Sequence, residues 1–178
     1  MAEEPLGRVA RLLGLADAAI YGERTRLRQD DLLVRSRASA SLGRAAAALR
    51  DLAARYSAER VPPSTREQPF PPAEAMGAMR RIERGQRAVQ EVEVAVRSAG
   101  FPPEDAVWER LRSARLQLDT LLLLDLALIE QAEAVESLCT DCTLDRAAGE
   151  GMETALEDAL AALRATLRER GALLAAPV

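Results

Sequence analysis

The chain has no histidine, no lysine and no asparagine, and only 3% of its 178 residues are aromatic. Without imidazole it lacks the usual near-neutral general base, pH switch and metal ligand. Ser-His-Asp and Cys-His nucleophiles are excluded for the same reason. So are the Glu-x-x-His pairs on which di-iron helical bundles depend. Two cysteines alone cannot fill a tetrahedral zinc site. No metal or cofactor is expected. With so few aromatics, the core must be built from Leu, Ala and Val, and the abundance of helix formers points to an all-α protein. All 24 basic residues are Arg, which reads as a compositional bias of the source rather than as chemistry.

The length suits one domain covering residues 1–178, large enough to bury a substantial core. The acidic start, Met1-Ala-Glu-Glu, does not read as a signal peptide. The longest apolar run is interrupted by Asp125 and falls short of the roughly 20 residues that span a bilayer. Two cysteines and no export signal fit a reducing cytoplasm, the expected location. Net charge is −4 but uneven: residues 1–100 hold 17 Arg against 13 acids, and residues 101–178 hold 7 Arg against 15 acids. This split predicts complementary packing of the two halves.

What the chain does have is heptad order. The reading is organised around a helix at 104–139, where Val107, Leu111, Ala114, Leu118, Leu121, Asp125, Leu128, Ala132 and Val135 alternate steps of four and three. That spacing holds one stripe on one helical face. Around Leu121–Ile129 the helix is apolar nearly all the way round, which predicts several packing neighbours. A second long helix at 23–58 carries Leu27, Asp31, Val34 and Ala38, then Leu42, Ala45, Leu49, Leu52 and Tyr56. A third at 71–99 carries Ala78, Ile82, Gly85, Val89, Val92 and Val96, and a last one at 152–171 carries Met152, Leu156, Leu160, Leu163 and Leu167. Residues 5–21 form a short amphipathic helix. Residues 59–70, with Pro62 and Pro63, form the main loop, and the chain loosens again over 140–151. Gly100 is expected to close the third helix, and the tight connection from Ala99 to Glu104 to make its neighbours in sequence antiparallel partners. The fold expected is an antiparallel four-helix bundle with two or more long coiled-coil-like helices plus the short N-terminal helix.

Candidate chemistry is thin. Asp31 and Asp125 both fall on apolar stripes, where charge is costly unless paired or protonated. One reading makes them an interior site for a cation or small cationic ligand. The blander and favoured one pairs each with an Arg, with Arg84 or Arg87 at a plausible height, as a polar layer that fixes register. Cys139-Thr-Asp-Cys142 is a lone Cys-x-x-Cys at a helix end, where the dipole does not favour a thiolate. A metal site shared across a dimer is less favoured than two ordinary buried cysteines. Arg24, Arg26, Arg28, Arg35, Arg37 and Arg44 make a basic stretch. It has no interleaved aromatics and is interrupted by Asp30 and Asp31, so nucleic-acid binding is not expected. The polar face of residues 5–21 carries Arg8 and Arg11 against Glu3, Glu4 and Asp17. It lacks the cationic character that anionic lipid favours, and membrane contact is not expected.

The favoured function is therefore a non-enzymatic bundle that acts through helix–helix contacts, as an interaction, scaffold or oligomeric structural protein. Its partner would be another protein or a second copy, giving a homo-oligomer. The alternatives are a ligand-binding or catalytic bundle with its site near Asp31 and Asp125, and a membrane-surface protein using residues 5–21.

Overall fold

A computed structural model of the chain describes residues 5–13, 27–63, 65–66, 70–100 and 115–175. Among these residues the protein is an all-helical bundle: α1 (Pro5–Leu12), α2 (Leu27–Arg60), α3 (Ala73–Arg97), α4 (Arg115–Thr140), α5 (Leu144–Ala148) and α6 (Gly151–Ala175). The heptad stripes become the core. Val34, Ala38, Leu42, Ala45, Leu49, Leu52 and Tyr56 of α2 are buried, and so are Ala78, Ile82, Val89, Val92 and Val96 of α3. Leu121, Leu128, Ala132 and Val135 of α4 meet Met152, Leu156, Leu160 and Leu163 of α6 in the same core. The valine-rich stretch Val89–Val96, strand-like by composition, is helical because its flanking periodicity is helical. Val107, Leu111, Ala114, Trp108 and the proposed start of the central helix at Glu104 lie outside the described residues.

Helix ends follow local chemistry. α2 runs to Arg60 and stops before Pro62-Pro63, whose rings cannot continue it. α3 starts immediately after Pro71-Pro72, with Pro72 as an N-cap that offers no side-chain acceptor. Its C-cap is Ser98 rather than Gly100, and the Ser98 hydroxyl donates to the Val94 carbonyl at 2.7 Å. The expectation of a loose 140–151 segment needs correcting: it contains α5, started by Thr143, whose Oγ1 accepts the Arg146 N–H at 3.3 Å. α6 also runs past Gly171 to Ala175.

The four long helices pack as a ring in the order α2, α3, α6, α4. Cross-helix bonds give their directions. Arg35 reaches the Arg97 carbonyl and Ser39 reaches Glu93, so α2 and α3 run opposite ways. Arg37 meets Glu133 and Arg44 meets Glu136, so α2 and α4 run the same way. Arg84 meets Glu153 and Arg164 meets Glu91, so α3 and α6 also run together. Among the described residues the expectation that a tight turn makes α3 and α4 adjacent is not met: each packs mainly on α2 and α6, which sets Ala73–Arg97 and Arg115–Thr140 across the bundle from each other. Burial of the α4 stripe decides which helices it lies against. α1 lies on α4, buries Val9 and Ala10, and pairs Arg8 with Glu130.

Candidate functional site: a buried charge layer

The two seam carboxylates are brought together. Asp31 of α2 is 1% exposed and Asp125 of α4 is 0% exposed, and between them lies Arg170 of α6 at 1%. Arg170 Nε donates to Asp125 Oδ1 at 2.7 Å, and its Nη2 donates to Asp31 Oδ1. Asp31 Oδ2 accepts from Arg35 Nε at 2.9 Å, one turn further along α2. Arg35 Nη1 then donates to the Arg97 carbonyl at 2.9 Å, in the last turn of α3, where backbone acceptors lack helical partners. One polar layer thus ties all four long helices. Among the described residues it holds the carboxylates of Asp31 and Asp125 and the guanidinium groups of Arg35 and Arg170. Asp30, also buried, has a partner of its own.

The chemistry of this layer follows from its pairing. The carboxylates already accept charge-assisted hydrogen bonds from guanidinium groups, and such bonds are short and strong when desolvated. An entering cation would have to displace Arg170. Burying charge in this way contributes little net stability over an apolar layer, but it fixes which helix heights align.

The cationic partners proposed for these carboxylates lie elsewhere. Arg84 pairs with Glu153 at 2.7 Å on the outside of the α3–α6 groove. Arg87 is exposed, and its Nε donates to the Glu83 carbonyl at 3.3 Å. Because α3 runs opposite to α2, the height of Asp31 corresponds to Arg97, roughly 20 Å along the helix from Arg84. Arg84 and Arg87 instead border a 380 Å³ groove with Gly85, Leu156 and Leu160. Gly85 serves close packing here: a Cβ at that position would lie 3.0 Å from Leu156 Cδ2.

Sequence reasoning missed Arg170. The α6 stripe read from Met152 to Leu167 stops one step short: continuing its steps of three and four from Leu167 reaches Arg170 and then Leu174, both buried. Arg35 reads in the sequence only as part of the basic stretch of α2. Arg37 and Arg44 from that stretch instead form a ladder with Glu133 and Glu136 of α4. The hydrogen bond from Arg44 holds the Glu136 carboxyl below its ordinary value, against the opposing effect of burial.

Cys139 and Cys142 are both buried free thiols. Burial, with a smaller contribution from the neighbouring Cys142, pushes the Cys139 thiol up to about 12. Burial raises Cys142 as well, and its Sγ lies 3.6 Å from the Thr143 carbonyl. Both environments favour protonated, unreactive thiols. Among the described residues no three His, Cys, Asp or Glu side chains gather as a metal site. Compared with known proteins, the chain matches no family model, no curated protein and no solved structure.

Proposed function

We propose that this is a non-enzymatic, self-associating bundle that works through helix–helix contacts as an interaction or scaffold protein of the cytoplasm. The observation that carries the reading is a set of exposed apolar side chains around the charge layer. Leu32 is 55% exposed, Leu33 43%, Val94 48% and Leu123 52%. Leu32 and Leu33 follow Asp31, Leu123 lies two residues before Asp125, and Val94 lies one turn before Arg97. Single exposed leucines are ordinary, but apolar side chains grouped at one height of a bundle suit association. The alternative interior ligand site has less support, because its carboxylates are engaged by Arg170 and Arg35. The membrane-surface alternative also loses support, since Val9 and Ala10 of α1 are already covered by the bundle.

The test is absolute mass by light scattering after size exclusion, under reducing conditions. A dimer or larger assembly is expected, shifted toward monomer by Leu33→Glu combined with Leu123→Glu. A wild-type chain that stays monomeric at micromolar to millimolar concentration ends the self-association reading.

A further inference from the structure

We propose that a hollow far from the charge layer binds a small oxyanion, one carrying a carboxylate or phosphoryl group. It lies beside Tyr56, about 38 Å along α2 from Asp31 at the helical rise. The hollow, of about 490 Å³, is lined by Tyr56, Ala73, Glu74, Gly77, Arg81 and Ala148. This site is independent of the association reading.

Three observations converge on it. Arg81 donates through Nη2 to the Ala148 carbonyl at 2.5 Å, yet it makes no ion pair with a described carboxylate, and its Nε is buried without a partner. A half-buried guanidinium in no ion pair with a described carboxylate, although Glu74 lines the same hollow, is an arrangement that an anion would complete. Tyr56, only 6% exposed, also lines the hollow, and its hydroxyl makes no hydrogen bond to a described residue. Finally, the first turn of α3 borders the hollow through Ala73 and Glu74, and its N-cap, Pro72, supplies no side-chain acceptor for the free N–H groups. The positive end of a helix dipole and those open donors favour an anion in the same place.

Gly77 also lines the hollow. A Cβ there would have Arg81 Nη1, at 3.6 Å, as its one close neighbour. Glu74 stands exposed at the rim, so a small, singly or doubly charged group fits better than an extended polyanion.

The experiment titrates the full chain with inorganic phosphate and, separately, with acetate, each against sodium chloride of equal ionic strength. A saturable rise in Tm with either anion is expected. A response to phosphate assigns a phosphoryl ligand, and a response to acetate alone assigns a carboxylate. Amide and Arg side-chain NMR signals of the wild-type protein should move at residues 73–76 and at Arg81 Nε. Arg81→Met should weaken the apparent Kd about tenfold or more, and Tyr56→Phe about threefold, as expected for losing a charge-assisted and a neutral hydrogen bond. The proposal is overturned if neither anion gives a saturable response, if the perturbed signals map elsewhere, or if Arg81→Met binds like the wild type.

Discussion

The same pair of side-chain types, Arg and carboxylate, fastens α2 to its neighbours in two very different settings. On the outside, Arg37–Glu133 and Arg44–Glu136 form a ladder between α2 and α4, with the two Arg side chains 41% and 50% exposed. In the interior, Asp31, Asp125, Arg170 and Arg35 form the charge layer, and none of them exceeds 8% exposure. Exposed pairs of this kind also link the two unevenly charged halves of the chain. Arg8, Arg37, Arg44, Arg60 and Arg84 from the basic half meet Glu130, Glu133, Glu136, Asp145 and Glu153 from the acidic half. Solvent screens each of these pairs, so together they bias the assembly of the halves without deciding it. The layer differs because water cannot take the place of a missing partner.

Removing one member of each set should separate them clearly. Arg170→Met takes a buried guanidinium away from both Asp125 and Asp31, and a loss of about 3–5 kcal/mol in urea unfolding is expected. That loss should vary little with salt, because the groups are shielded from solvent ions. Arg44→Ala should cost about 0.5 kcal/mol, shrinking further at high salt. The Arg44–Glu136 pair also gives a pH signature. Since Glu136 is held below its ordinary value of 4.5 in the fold, its contribution is present above that value and disappears as pH falls through the lowered one. Stability curves of the wild type and Glu136→Gln should therefore converge in acid. A constant gap down to low pH would show that the pairing has no such role.

The contrast also shows what a sequence reveals. The stripes through Leu42, Leu49 and Leu52, or through Leu121, Leu128 and Ala132, were readable because apolar burial depends on period, and period is local. Asp31 and Asp125 stood out for the same reason, as breaks in a local pattern. Their partner was not readable in the same way, because it depends on which helices lie adjacent and at what height. Arg84 and Arg87 look as plausible a partner as Arg170 because nothing local says which residue of another helix stands level with Asp31. Long charged side chains near helix ends are ordinarily surface residues, so Arg170 gave no signal except its place on the extended α6 stripe. Thr143 and α5 were missed because a five-residue helix has too few turns to show a period.

The interior carboxylates serve a structural layer that ties the four long helices together. Its most direct test is a double-mutant cycle in urea at neutral pH with Asp125→Leu, Arg170→Met and the two combined. Asp31 stays paired with Arg35 in the combined variant, so that variant should fall within about 1–2 kcal/mol of the wild type, while Arg170→Met alone loses about 3–5 kcal/mol. If the combined loss instead equals the sum of the two single losses, Asp125 and Arg170 do not act as a pair, and the structural-layer account is wrong.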